Sequence, residues 1–197
     1  STVGTITEVY DFMRLLYARA SIAYSYKSGE KMVKYTDQQI IDKIFNDFED
    51  KKIAILAPMV KGRKGHYREL FQKIQRLGYL SARVDGKLEE VHPGMQVDRY
   101  KIHDIEIVID KLKVAEKYDE RLKKSVDIAL KLSKNSLLVL DIETNEVQFF
   151  SKQMMCPTTG MAYDEPEPNT FSFNSPYGAC PKCSGLGTVT EVNLKKI

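Results

Sequence analysis

The two residues of this chain best spaced for chemistry are Cys180 and Cys183, in Cys180-Pro181-Lys182-Cys183. A tight turn with that spacing brings two thiolates onto one tetrahedral metal ion, and Gly178, Gly185 and Gly187 flank the step. A structural zinc site takes four ligands, so a second pair is required. The nearest match is Cys156-Pro157-Thr158-Thr159, a thiol followed by a threonine where a second thiol would stand. The candidate metal ligands are therefore Cys156, Cys180 and Cys183. Zinc would be held by these with water or another residue completing the set, or the cysteines bind nothing, since each missing thiolate removes both charge and soft donation. A C-P-x-C step also suits dithiol redox chemistry, which places the first cysteine at a helix N-terminus. Ser184-Gly185-Leu186-Gly187 is a poor helix start.

The other chemical candidates are weaker. His66, His92 and His103 are scattered, with no H-x-x-x-H spacing and no nucleophile close in sequence. Lys61, Arg63, Lys64 and Arg68 lie in a basic stretch from Lys51 to Arg76. They could face phosphates, each contact releasing counterions and making binding salt-sensitive; a solvated polar surface is the plainer reading. Val60-Lys61-Gly62-Arg63-Lys64-Gly65 lacks the G-x-x-x-x-G-K-[ST] spacing of a phosphate-cradling loop.

These residues must be positioned by a modest body. A chain of 197 residues buries one substantial core, or one domain and an appendage. The net charge of +3 does not by itself argue for nucleic acid, and three cysteines do not form a secreted disulfide framework. No apolar run is long enough to span a bilayer, and there is no leader-like start, so the expected location is cytoplasmic and no membrane partner is expected.

The apolar pattern predicts a helix from Thr2 to about Ile22, capped by Ser1 or Thr2, with Phe12 and Leu15 adding a second apolar face. Such a helix wants neighbours on both sides, which suggests a piece of a larger protein. A weak hairpin pattern surrounds Lys27 to Glu30. Thr36-x-x-Gln39 is a capping box opening a helix with Ile40, Ile41, Ile44, Phe45 and Phe48 on one face. Ile53 to Val60 reads as a buried strand, followed by a loop from Lys61 to Gly65 and a helix ending at Gly78. Asp85-Gly86 predicts a hairpin. Ile105, Ile107 and Ile109 mark a strand, a helix runs through Leu122 to Leu130, and two strands meet at Thr144-Asn145. Hairpins mixed with crossovers predict an α+β fold, a mixed sheet with packed helices and a small cysteine-containing appendage. The shift to Pro, Gly, Ser and Cys after Ser151 sets the expected divisions at 1–22, 23–151 and 152–197.

In combination, these motifs resemble the UvrA family of bacterial nucleotide-excision repair. The resemblance runs through Ser1-Thr2-Val3-Gly4-Thr5-Ile6-Thr7-Glu8, Ile55-Leu56-Ala57-Pro58-Met59-Val60, Gly62-Arg63-Lys64-Gly65, Ala82-Arg83-Val84-Asp85-Gly86, and Phe171-Ser172-Phe173-Asn174-Ser175-Pro176 with the cysteine step after it. It implies that 1–22 belongs to an ATPase core, that 23–151 docks UvrB, and that 152–197 is part of a zinc module. The intact protein would be a DNA-binding, ATP- and Mg²⁺-using homodimer that meets damaged DNA. The chain departs from the family where Thr159 replaces a cysteine, around Tyr24 to Lys31 where a cysteine-containing turn is replaced, and in Ser81-Ala82-Arg83 and Ile109-Asp110-Lys111. Arg83 and Lys111 keep the charge that the family presents to UvrB, and are the expected partner-binding residues. With no Walker A, Walker B or ABC signature, the fragment itself is not expected to be an enzyme.

Overall fold

The computed structural model describes residues 3–115 and 120–189, which divide into two compact units, 1–23 with 164–197 and 24–163. The expected cap at Ser1 or Thr2 lies outside the described residues.

In the first unit, the expected single helix is two: α1 (Val3–Ile6) and α2 (Val9–Ala20). The break falls at Glu8, whose φ is 59°, and the Thr7 hydroxyl donates back to the Val3 carbonyl (2.8 Å). A threonine that bonds the preceding turn competes with helix continuation. No residue of α2 is buried, and Phe12 and Leu16 are largely exposed. Tyr10 donates to the Phe171 carbonyl (2.7 Å) and its ring lies 5.7 Å from that of Phe173. The Cys180–Cys183 turn lies in this unit. Ser184 N–H donates to the Cys180 carbonyl (2.7 Å) and Gly187 N–H to the Cys183 sulfur (3.4 Å). Hydrogen bonds from the backbone of Cys183 and Lys182 hold the Cys180 thiol below its usual pKa.

The second unit is an α+β body. Its elements run α3 (Asp37–Phe48), β1 (Lys52–Lys64), α4 (Arg68–Arg76), β2 (Ser81–Val84), β3 (Lys87–Glu90), β4 (Ile102–Lys113), α5 (Glu120–Leu132), β5 (Ser136–Asp141), β6 (Val147–Ser151), β7 (Met154–Met155) and β8 (Ala162–Tyr163). The large sheet has the order β3-β2-β4-β1-β5-β6, and every pairing in it is antiparallel. Neighbouring strands thus run in opposite directions throughout, because each helical crossover skips one strand: β1 passes through α4 to β2 around β4, and β4 passes through α5 to β5 around β1. Two interlocked split β-α-β units of this kind make a ferredoxin-like sheet, here extended by β3 and β6 at its edges.

Local signals account for most of these elements. Thr36 and Gln39 form a reciprocal capping box at the start of α3. Gly78, at φ 83°, closes α4 with the paired bonds Gly78 N–H to Gln75 O (2.9 Å) and Tyr79 N–H to Ile74 O (3.2 Å), a Schellman arrangement. Asp85 and Gly86 both have positive φ, as the two-residue turn between β2 and β3 demands. The segment 61–64, expected as a loop, continues β1. Register shifts at Pro58/Val60 and Val60/Arg63 let the strand carry charged residues while staying paired to β4.

The sheet has two unlike faces. Ile53, Ile55, Ala57, Ile105, Ile107, Ala82, Val139 and Phe150 join Ile40, Ile44, Phe71, Ile74, Leu122 and Val126 from the helices in one large core. The other face carries a small cluster of Ala54, Leu56, Val108, Leu138 and Leu140 with Val147 and Phe149 against it. Asp110 anchors α5: Arg121 donates to its two carboxylate oxygens at 2.8 and 2.7 Å, and Ser125 donates at 2.9 Å. The same contacts hold the Asp110 carboxyl below its usual pKa, Arg121 contributing most.

Candidate protein-docking face

Residues directly opposite on paired strands share a face, and so do alternate residues along one strand. Arg83 pairs with Glu106, Glu106 with Pro58, Val108 with Leu56, and Ala54 with Lys111. Following these steps puts Arg83, Glu106, Val108, Leu56, Ala54 and Lys111 on the face that carries the smaller cluster. Arg83 and Lys111, expected as partner-binding residues, thus share one face of the sheet.

Their surroundings differ. Lys111 is exposed, and its backbone is fixed by Asp110 and by an Arg121 hydrogen bond to its carbonyl (3.1 Å). Arg83 is mostly covered and approaches Glu106 at 3.4 Å, while its Nε is buried with no hydrogen-bond partner. Its strand end is pinned by a histidine. His103 Nδ1 lies 2.7 Å from the Asp85 carboxylate and Nε2 lies 2.7 Å from the Asp98 carbonyl. Both partners can only accept, so the buried ring donates from both nitrogens and is an imidazolium. Its pKa is accordingly raised, chiefly by Asp85 and then by the Asp98 carbonyl.

Glu106 was not among the residues singled out from the sequence. It is 5% exposed, and burial pushes its carboxyl up to about 7 against the opposing pull of Arg83 and Lys61. Its position between Ile105 and Ile107 was the available signal: a carboxylate within an isoleucine-rich strand. It lines a cavity of about 330 Å³ with Lys61, Phe149 and Met161.

Within the basic stretch, Lys61 has surroundings of its own. Lys61 lies over the Phe149 ring (4.5 Å from its centroid) and donates to the Thr159 carbonyl, and burial lowers its pKa. Arg63 and Lys64 are exposed near the end of β1, and Arg68 is exposed at the first turn of α4.

Among the described residues no group of three or more His, Cys, Asp or Glu side chains is placed to hold a metal ion. Cys156 is buried in the second unit, engaged by Ser28 and Glu30, while Cys180 and Cys183 belong to the first.

Residues 36–143 match the family model of the UvrA interaction domain. Among curated proteins, the chain is 43% identical over its full length to UvrABC system protein A of Halalkalibacterium halodurans, 43% identical over 95% of its length to that of Thermus thermophilus, and 44% identical over 98% of its length to that of Mycobacterium tuberculosis. It spans 20% of each of these relatives. With the family model covering more than half of its residues, the chain belongs to the UvrA interaction domain family.

Proposed function

We propose that the sheet face bearing Arg83 and Lys111 docks UvrB, delivering it during DNA damage recognition. The observation that carries this reading is the register, which brings these two basic positions onto one face. Around an apolar centre, such charges set encounter rate and register more than raw affinity. In this reading, 23–151 is the docking domain and 1–22 belongs to an ATPase core. The intact protein, cytoplasmic and dimeric, supplies damaged-DNA binding and ATP hydrolysis with Mg²⁺.

The test is UvrB binding by the chain and by its Arg83→Glu/Lys111→Glu variant. The expected result is a loss of at least about tenfold, largely in association rate and steepest at low salt. Unchanged affinity in a folded variant removes this surface. The competing outcome is direct DNA binding through Lys61, Arg63, Lys64 and Arg68, and it would appear as fragment–DNA affinity falling steeply with salt. Exposure of Arg63, Lys64 and Arg68 is what favours it.

A further inference from the structure

Two turns of the α+β body share one hydrogen-bonding scheme. In the first, Ser25 N–H donates to the Glu30 carbonyl (2.8 Å) and Gly29 N–H to the Ser25 carbonyl (2.8 Å). In the second, Cys156 N–H donates to the Met161 carbonyl (3.0 Å) and Gly160 N–H to the Cys156 carbonyl (2.9 Å). The side chains follow the same scheme. Ser28 N–H donates to Ser25 Oγ (3.4 Å) and Glu30 N–H to Ser28 Oγ (3.3 Å). Correspondingly, Met161 N–H donates to Thr159 Oγ1 (3.3 Å). Each turn places a glycine in the left-handed region, Gly29 at φ 72° and Gly160 at φ 62°.

The turns also face each other. Ser28 Oγ lies 3.3 Å from Cys156 Sγ, and Val33 and Met155 exchange backbone bonds of 2.8 and 2.9 Å. Side chains three residues apart, each receiving a backbone N–H, are how a tight turn presents two ligands to one metal. Two opposed turns make four such positions: 25, 28, 156 and 159.

Zinc does not fit the residues that fill them. Three are neutral hydroxyls, and zinc takes thiolate, imidazole or carboxylate donors. The polar atoms are instead satisfied by one another. Cys156 donates to Glu30 Oε2 (3.3 Å), Thr158 donates to Glu30 Oε1 (2.7 Å), and Ser25 Oγ pairs with the Tyr163 hydroxyl (3.3 Å).

We infer that Ser25, Ser28, Cys156 and Thr159 occupy the four ligand positions of a paired-turn metal scaffold, in which a hydrogen-bonded cluster closed by Glu30 takes the place of the metal. The assignment separates Cys156 from Cys180 and Cys183 and is independent of the docking reading.

The experiment uses the full chain in a Cys180→Ser/Cys183→Ser background, so that only the quartet can report. Adding Ser25→Cys/Ser28→Cys/Thr159→Cys should confer uptake of about one equivalent of Co²⁺ with the visible and charge-transfer bands of tetrahedral thiolate cobalt. Zinc should raise the Tm of this variant by several degrees. The background protein should show neither effect. A folded triple variant without cobalt binding overturns the inference, as does stoichiometric zinc on the unaltered quartet. Should the triple variant not fold, Ser28→Ala, Cys156→Ala and their double variant decide. The cluster requires the double to lower Tm by clearly less than the sum of the singles, and strict additivity overturns it.

Discussion

The two faces of the six-stranded sheet are built on different physical principles. The helix-covered face is filled with large branched and aromatic side chains that interlock with α3, α4 and α5. The opposite face has a smaller apolar cluster, and beside it an ion pair, a cation over a ring and a buried carboxylate. The first face specifies and stabilises the fold. The second has given apolar area to charged groups that do not strengthen a core, and such groups are expected where a surface has a partner to meet.

Ile55 and Leu56 put that comparison to its strongest test, because they are adjacent on β1, fully buried, and directed to opposite faces. Truncation of a buried Ile or Leu to Ala costs roughly 2–5 kcal/mol. Ile55→Ala should fall near the top of that range and Leu56→Ala near the bottom in urea unfolding. Equal losses would mean that both faces contribute alike.

Protonation separates the faces next. The Glu106 pKa is raised from 4.5 to about 7, so the native state binds the extra proton and stability falls as pH rises between those values. The stability of Glu106→Gln relative to the parent should therefore rise by on the order of 2–3 kcal/mol between pH 4.5 and pH 8. A constant difference across that range would show that Glu106 carries no net cost when charged.

On the other side of the same strand His103 works in the same direction. Its raised pKa gives stability that is fully present below about pH 6.5 and is lost as pH rises through the folded value. An imidazole resonance titrating at or below the ordinary histidine value would refute the doubly donating geometry. The smallest effect belongs to the N-cap of α3: Thr36→Ala should cost about 1 kcal/mol, with no change in pH dependence.

Much of the helix-covered face could be read locally. Thr36-x-x-Gln39, Gly78 and Asp85-Gly86 are short-range devices, and Ile40, Ile41, Ile44 and Phe48 announce their shared face by spacing alone. The other face was less legible because its properties come from residues far apart in the chain. Glu106 alternates like any outward strand residue, and its burial depends on Arg83, Lys61 and the turn at 156–161. β1 was expected to stop at Val60, since its bulges erase the alternation that would have extended it to Lys64. Cysteine spacing carried no signal for the turn at 25–30, which contains no cysteine.

The position of β1 has a kinetic consequence. Its 13 residues are flanked by β4 and β5, so Ile55 waits for Asp110 on one side and Val139 on the other. Loop closure over such separations comes before any reward from pairing, which slows folding relative to a locally connected fold. On the ribosome, β1 emerges with both edges unsatisfied; β4 can cover one of them, and the other stays open until α5 and β5 have been made. During that interval its apolar run is the segment most exposed to intermolecular pairing, and a chaperone that retards aggregation should raise the folded yield of this chain more than any change to its charged face.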